Sequence, residues 1–270
     1  MSRHEGSRKR GRFKPARRDE PAYVGSRSQR QWQDANLTPL QGGWIAGVLS
    51  TVKSGKEATV YCCSAHPSLG DGLVAAKVYR PFVARAMKDD ATYREGRGMR
   101  DRRQRRAIKR KSKLGRRVQM ASWIEHEFET LRLFHDVGVD VPAPYVHLGH
   151  AILMEYVGDE ETPAPMLSRV RLGPGKAQPL FERLMQNVEL MLACGWVHAD
   201  LSAYNVLYWQ GKATVIDLPQ AVDVYRNRSA FFLLHRDIDR LCRYFSRYGV
   251  EAAPFALANN LWERYVLRQS

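Results

Sequence analysis

Four polar residues in the second half of the chain have the clearest chemical pattern. His198, Asp200 and Asn205 follow the spacing H-x-D-x4-N, and Asp217 ends a strand-like segment further along. This set suits phosphoryl transfer, in which one carboxylate accepts the proton of the attacking hydroxyl while other oxygens bind Mg²⁺. We therefore predict that Asp200 is the catalytic base and that Asn205 and Asp217 are metal ligands. We expect His198 to pack inward and hold the loop backbone.

A second pattern, V-A-A-K-V-Y, places Lys77 in a predicted strand over 73–79. The pattern is typical of a lysine that binds the α- and β-phosphates of a nucleotide and that needs a carboxylate partner. Glu127 is the candidate because, at about 100° per residue, it falls inside the apolar stripe of a predicted helix. A glutamate that faces the core requires a cation. We predict that Lys77 and Glu127 pair.

The turn Lys53-Ser54-Gly55-Lys56 joins two predicted strands, 44–50 and 58–64. It lacks the glycine spacing of the common nucleotide-binding loops. A glycine between a serine and a lysine can still present backbone N–H groups and a cation to phosphates. We therefore count Ser54, Gly55 and Lys56 among the predicted nucleotide-binding residues; the alternative is an ordinary hairpin turn.

The elements that must hold these residues follow from hydrophobic periodicity and turn residues. A helix is predicted to begin at a capping box formed by Ser122 and Glu125. After it the patterns predict a hairpin, a Pro- and Gly-rich linker over 158–178, a helix that ends at Gly195, a second hairpin and two more helices. The corresponding segments are 145–149 with 151–157, 180–191, 206–209 with 213–217, 231–245 and 255–268. A strand-rich half is thus followed by a helix-rich half.

Composition excludes several classes of protein. The chain has 270 residues, of which 44% are hydrophobic and 26% charged, an ordinary globular mixture rather than a collagen-like or disordered one. No apolar run is longer than five residues, as in Leu190–Cys194, which is far shorter than the roughly 20 residues of a membrane span. The N-terminus has no apolar signal-peptide core. We therefore expect a cytoplasmic protein with no membrane partner, whose four cysteines are reduced thiols.

The positive charge is concentrated in two segments. The net charge is +15, with +7 in residues 1–18 and +11 in residues 94–117, so the remainder of the chain sums to −3. Such segments can neutralise the phosphates of a nucleic acid. We predict that they contact RNA or a ribosomal particle; the alternative is a solvated loop with no partner.

Together these motifs resemble the RIO family of atypical serine/threonine protein kinases over about residues 44–250. The resemblance is closest to the branch that lacks an N-terminal winged helix. It is carried by the blocks SGKEATVY (54–61), AKVY (76–79), EHEF (125–128), MEYVG (154–158), VHADLSAYNVL (197–207) and VIDLPQAV (215–222).

The resemblance implies an α+β, two-lobed protein-kinase-like fold. A small strand-rich N-lobe is expected over 36–157, with a flexible basic loop at about 81–120. A hinge and a truncated helical C-lobe are expected over 158–270, and residues 1–35 are expected to form a disordered basic arm.

The resemblance also implies ATP and Mg²⁺ or Mn²⁺ as cofactors, with a protein serine or threonine, or the chain itself, as phosphate acceptor. Lys77 would bind the phosphates with Glu127 as its partner, and Glu155 and Val157 would offer backbone groups to adenine. Asp217 would be able to accept the phosphoryl group as an aspartyl-phosphate. The sequence Asp217-Leu218-Pro219 departs from D-F-G, and 53 residues follow Asp217, so we expect no activation loop and no subdomain for docking a freely diffusing peptide.

Two other functions are compatible with the residues. A small-molecule kinase of the aminoglycoside or lipopolysaccharide type also uses H-x-D-x4-N followed by an aspartate, but devotes more chain to binding its acceptor. An RNA- or ribosome-binding assembly factor could instead use ATP turnover as a switch and phosphorylate no substrate.

Overall fold

Five antiparallel strands form the sheet that carries Lys77. A computed structural model of the chain describes residues 37–41, 43–80 and 113–268. The strand order is β1-β2-β3-β5-β4. Their bounds are Ile45–Ser54 for β1, Ala58–Ala65 for β2, Leu73–Tyr79 for β3, Pro144–Leu148 for β4 and Ala151–Glu155 for β5. The predicted strand over 73–79 and the predicted first hairpin are thereby confirmed within a few residues.

The register of the sheet decides which residues face the functional site. Lys77 is opposite Val60 on β2 and Ile152 on β5. Directly paired residues of an antiparallel sheet point to the same face, so these side chains share the face of Lys77. The other face is closed by a small core that includes Tyr61 and Val78. They are buried together with Leu40 of the short helix α1, Thr38–Gln41, and with Leu37 just before it.

The helix α2, Lys113–Asp136, begins nine residues before the predicted capping box. Ser122 therefore lies in the helix interior, and the prediction of a helix start there is wrong. The residues before it have no helix-breaking proline, and Met120 and Trp123 are buried, so tertiary packing continues the helix upstream. The indole N–H of Trp123 donates to the carbonyl of Pro219 at 3.0 Å, which ties this part of α2 to the helical half.

The apolar stripe predicted for α2 is present. Ile124, Leu131 and Phe134 are buried in the main core, and Phe128 is partly buried against it. The predicted flexible loop over about 81–120 lies outside the described residues up to position 112, and 113–120 belong to α2. The predicted arm, residues 1–35, also lies outside the described residues.

The second half is mainly helical. It contains α3, Ala177–Ala193, α4, Ala230–Phe245, and α5, Pro254–Trp262, which continues as a π-helical turn over Glu263–Leu267. Two short antiparallel pairs complete it: β6, Trp196–Val197, with β9, Val222–Asp223, and β7, Val206–Trp209, with β8, Lys212–Val215. The predictions of the three helices and of the second hairpin are confirmed. So is the predicted helix end at Gly195, whose φ is 81°. The β6–β9 pair was not predicted.

The segment predicted as a linker over 158–178 is packed against this half. It contains a 3-10 turn, Leu167–Arg169, in which Leu167 is fully buried. The Tyr244 hydroxyl on α4 donates to the Leu167 carbonyl at 2.8 Å. The Pro and Gly residues of the 158–178 segment therefore form turns that pack against the helical half, and the segment is not a flexible linker.

The described cysteines are free thiols, as predicted. None of the helices in the described part of the chain has the length and apolar composition needed to cross a membrane.

Candidate active site

The predicted catalytic loop lies between β6 and β7 and is held from inside by His198. This side chain is 2% exposed. Its Nδ1 accepts the Asp200 backbone N–H at 3.2 Å, so the proton is on Nε2, which donates to the Ile216 carbonyl at 3.2 Å. Burial lowers the pKa of His198. The neutral ring thus fixes the loop backbone, in the structural role expected for it.

Asp200 and Asn205 meet across the loop. The Asn205 amide donates to the Asp200 carbonyl at 2.9 Å and to Asp200 Oδ2 at 3.1 Å. Because the amide nitrogen makes both bonds, the amide oxygen of Asn205 is turned toward other partners. The backbone immediately before Asp200 is strained at Ala199, whose φ is 63° in a region that non-glycine residues seldom adopt.

Asp217 lies beside the same loop, two residues after β8. The Ile216 N–H donates to the Asn205 carbonyl at 2.9 Å, which places the backbones of the two predicted metal ligands next to each other. Asp217 has a φ of 70°, a second left-handed residue at the site. Its side chain is 48% exposed. Strain at both Ala199 and Asp217 is typical of backbone shaped for function rather than for stability.

Lys77 joins the sheet to this loop. Its Nζ atom is 2.6 Å from Glu127 Oε1 and 3.0 Å from Asp217 Oδ1. Burial alone would lower the pKa of Lys77, but the Asp217 and Glu127 carboxylates outweigh it and raise that pKa. Lys77 holds the pKa of Asp217 below its ordinary value, whereas burial raises the pKa of Glu127 although Lys77 opposes the shift. The predicted pair of Lys77 and Glu127 and the separately predicted Asp217 therefore form one charged group.

The turn after β1 differs from its prediction. Ser54 belongs to β1 and pairs with Thr59, which is opposite Val78, so its side chain is on the sheet face away from Lys77. The Ser54 hydroxyl there accepts a hydrogen bond from Arg80 at 2.7 Å. The structure therefore does not bring the Ser54 side chain to the site; Gly55, whose N–H donates to the Ala58 carbonyl at 2.9 Å, and the exposed Lys56 form the turn itself.

Lys53 is a cation that sequence reasoning missed. It is opposite Val60, which is opposite Lys77, so both lysines are on one face of the sheet. It also contributes to the lowered pKa of Asp217. Successive side chains of a strand point to opposite faces. Extending the predicted strand through Lys53, which the sequence predicts to lie in the turn, would have placed Lys53 on the same face as Lys77.

The predicted hinge follows β5. The Glu155 N–H donates to the Ala143 carbonyl at 2.8 Å, and the Val157 carbonyl accepts the Ala164 N–H at 2.9 Å. The Val157 carbonyl oxygen therefore already accepts one hydrogen bond and has one lone pair left. Gly158 follows with a φ of 145° and forms an isolated β-bridge with Pro163.

Helix α4 contributes three charged residues to the catalytic loop that sequence reasoning also missed. The Arg236 guanidinium donates to the Ala199 carbonyl. Arg240 Nη1 is 2.8 Å from Asp200 Oδ1. Asp237 is 2% exposed, and burial raises its pKa to about 7 against the lowering effects of the Leu201 N–H and both arginines. A charged residue inside the apolar stripe of α4 was the available signal, as it was for Glu127.

A scan against protein-family models matches the RIO domain over residues 60–257. Among curated proteins, serine/threonine-protein kinase RIO1 of Caenorhabditis elegans is 32% identical over 212 residues, covering 78% of this chain and 39% of that protein. RIO-type serine/threonine-protein kinase Rio1 of Haloferax volcanii is 33% identical over 217 residues, covering 79% of this chain and 68% of that protein. The chain thus spans about two fifths of the eukaryotic relative and two thirds of the archaeal one.

Among solved structures, the Rio2 kinase-ADP/Mg²⁺-phosphoaspartate complex from Chaetomium thermophilum matches with a TM-score of 0.57 and 20% identity, covering 79% of this chain and 61% of that one. The Rio2 kinase from the same organism matches with a TM-score of 0.54 and 19% identity. These similarities confirm the α+β, two-lobed protein-kinase-like fold that the motifs predicted.

Proposed function

Since this chain belongs to the RIO domain family, we propose that it transfers the terminal phosphoryl group of ATP to a serine or threonine hydroxyl, on another protein or on itself. The relatives named serine/threonine-protein kinase support the acceptor class. A cytoplasmic location, inferred from the sequence, belongs to the same proposal.

The observation that carries the proposal is the position of Lys77 between Glu127 and Asp217. A lysine that salt-bridges a buried helical glutamate is preorganised to bind nucleotide phosphates. Its second contact, to Asp217, keeps a cation next to a predicted metal ligand. A pair with a purely structural role would not require the left-handed backbone of Asp217.

In the proposed reaction the acceptor hydroxyl oxygen attacks the γ-phosphorus and forms the new P–O bond. The bond from the γ-phosphorus to the β–γ bridging oxygen breaks, and ADP departs with the electron pair. The hydroxyl proton passes to the Asp200 carboxylate. Asn205 orients that carboxylate through its 3.1 Å hydrogen bond, and Lys77 binds the phosphates. We further propose that Gly55, Lys56 and the side chain of Lys53 face the phosphates, and that Glu155 and Val157 offer backbone groups to adenine.

The residues at the site fit Mg²⁺. The amide oxygen of Asn205 and the carboxylate of Asp217 are hard oxygen ligands, as this ion prefers. No group of three or more His, Cys, Asp or Glu residues that could hold a metal occurs in the described ranges. Two protein ligands are nevertheless sufficient, because Mg²⁺ completes its shell with phosphate oxygens and water. When bound, the ion neutralises charge on the transferring phosphate; Mn²⁺ would suit the same ligands.

The proposal is tested by incubating the full chain with Mg²⁺ and γ-phosphate-labelled ATP. We expect label on serine or threonine, lost in Asp200→Asn and in Lys77→Met. Alkali-labile label on Asp217, absent from Asp217→Asn, would instead favour a switch that uses an aspartyl-phosphate, and free phosphate alone would favour an ATPase. Label on an added aminoglycoside but not on protein would favour the small-molecule kinase.

A second proposal concerns RNA. The +7 and +11 segments, 1–18 and 94–117, have charge sufficient to bind a nucleic acid backbone, including that of a ribosomal particle. All of the first segment and most of the second lie outside the described residues. We expect binding of a structured RNA to weaken steeply with salt and deletion of residues 94–112 to flatten that dependence. An unchanged salt slope would contradict the proposal.

A further inference from the structure

Arg240 is a cation beside the proposed base to which the proposed reaction assigns no role. Its Nη1 atom lies 2.8 Å from Asp200 Oδ1, and its side chain is 38% exposed. It belongs to α4, not to the loop that contains Asp200. Between Asp200 and Asn205 the loop itself contains only Leu, Ser, Ala and Tyr, so its own residues supply no positive charge there.

The two carboxylates of the site, Asp200 and Asp217, thus form ion pairs with different basic side chains. Asp217, on the nucleotide side, is 3.0 Å from Lys77 and is also influenced by Lys53. Asp200, which receives the acceptor hydroxyl in the proposed reaction, is paired with Arg240. An acceptor that brings its hydroxyl to Asp200 must therefore place neighbouring groups close to this guanidinium.

Arg240 has donors available for such a group. A guanidinium has five N–H donors in a planar fork that matches a carboxylate or a phosphate. Within the described part of the chain, Nη1 makes the hydrogen bond to Asp200 and approaches Asp237 at 4.0 Å. The Nη2 and Nε donors lie on the same partly exposed side chain. Asp200 can still accept the hydroxyl, because each carboxylate oxygen has room for a second hydrogen bond.

The pair with Asp200 does not require Arg240 to be purely structural. Partly exposed ion pairs contribute little to folding, because water screens the charges. Sharing the guanidinium with an incoming anion therefore costs little. A bidentate contact with that anion would add both binding free energy and orientation.

We propose that Arg240 is an acceptor-specificity residue that binds a carboxylate or phosphate next to the acceptor hydroxyl. The chain then selects serines flanked by acidic or phosphorylated residues over serines in neutral sequence. This inference rests on the proposed function, because it takes Asp200 as the group that receives the hydroxyl proton.

The test uses three synthetic peptides that each contain one acceptor serine. Because no peptide-docking subdomain is expected, they are added at concentrations high enough to bind through the residues beside that serine alone. They are identical except that the serine is flanked on both sides by Gln, by Glu, or by phosphoserine. For the unmodified chain we expect kcat/KM for the Glu peptide to exceed that for the Gln peptide by about fivefold, the effect of one partly exposed ion pair. Comparison of the Glu and phosphoserine peptides distinguishes a carboxylate from a phosphate as the preferred anion.

Arg240→Gln should abolish the preference by raising KM for the anionic peptides toward that for the Gln peptide, and Arg240→Lys should retain part of it. Arg243→Gln is the matched control. Arg243 is on the same helix with the same charge, but it is 79% exposed and pairs with Asp239 at 2.8 Å. It should keep the full preference, which shows that the effect is not one of net charge.

The outcomes separate the two proposals. Equal kcat/KM for all three peptides in the unmodified chain, or a preference that survives in Arg240→Gln, overturns the specificity role. A fall of the same factor for every peptide in Arg240→Gln also overturns it and leaves Arg240 as a positioning residue for Asp200. Autophosphorylation or ATP hydrolysis with no label on any peptide overturns the inference but not the ATP chemistry. Absence of transfer and hydrolysis together overturns the proposed function and this inference with it.

Discussion

Nζ of Lys77 on β3 lies 3.0 Å from Oδ1 of Asp217, 140 positions further along the chain. The same nitrogen is 2.6 Å from Oε1 of Glu127 on α2. The sheet, the long helix and the helical half therefore meet at one ammonium group. Because a buried charge is stabilised only by its partners, a change at any of the three residues alters the electrostatics of the others.

Lys77→Met should lower both activity and stability. It removes the cation that we propose binds the phosphates, and it leaves Glu127, which is 4% exposed, without the lysine that pairs with it. Breaking a buried pair costs about 3 kcal/mol. Burial already raises the pKa of Glu127, and removal of Lys77 ends the opposing effect, so the variant should lose stability as pH rises through that raised pKa. Urea denaturation at several pH values measures this.

Lys77→Met/Glu127→Gln is the control for that change. Removing the orphaned carboxyl should restore most of the free energy of unfolding, and the pH dependence should disappear. Label transfer from ATP should not recover, because the cation proposed to bind the phosphates is still missing. A double variant as unstable as Lys77→Met would show that Glu127 is not the source of the loss.

Asp200→Asn should separate binding from chemistry. Asparagine has the shape of aspartate but cannot take the hydroxyl proton, so label transfer should fall by about 10²- to 10⁴-fold. Binding of ATP with Mg²⁺, followed by calorimetry, should change little, because Lys77 and Asp217 are untouched. Undiminished transfer in this variant would assign the base to another residue.

Asp237→Asn should change the pH dependence of stability. The pKa of Asp237 is raised by burial to about 7, above the roughly 4 of an unfolded aspartate. Between these values the folded chain binds a proton that the unfolded chain does not, so this group makes stability decrease as pH rises. Thermal unfolding of the unmodified chain between pH 4.5 and 7.5 should show that decrease, and Asp237→Asn should reduce it. Parallel curves would contradict the assignment.

Gly158→Ala should disturb the hinge. A Cβ atom there would lie 2.6 Å from the Thr162 carbonyl oxygen, and the φ of 145° is unfavourable for alanine. We expect a loss of about 1–3 kcal/mol in urea denaturation and weaker ATP binding, because Val157 precedes it. Gly173→Ala is the matched control: its Cβ meets nothing within 4 Å, so its stability should be unchanged. If both variants had the same free energy of unfolding, the loss could not be attributed to the clash of the new Cβ with Thr162.

Several contacts and turns could be predicted from local sequence patterns. The contact of Lys77 with Glu127 was predicted because a helix repeats every 3.6 residues, which placed one glutamate among the buried positions. The second hairpin follows from Gln210-Gly211, whose φ values of 48° and 85° suit a tight turn. Such signals depend on neighbours within a few residues.

Other features depend on packing between segments that are far apart in the chain. Ser122 and Glu125 have the spacing of a helix start, yet burial of Met120 and Trp123 extends α2 upstream of them. The hydrogen bond from Arg80 to Ser54 and the placement of Lys53 on the other face follow from the pairing of β1 with β2, including its irregularities. A shift of one residue in that pairing would exchange the two faces.

Motif and periodicity were thus enough to predict the main helices and strands and to select candidate residues for the site, because each depends on short-range geometry that the backbone imposes. The cations that surround Asp200 and Asp217 could not be assigned in this way. Arg240 reaches Asp200 only because α4 packs beneath the catalytic loop, a contact between residues 40 positions apart. Which side chains meet across such a distance depends on how the whole core is filled, since many sequences satisfy the same local pattern.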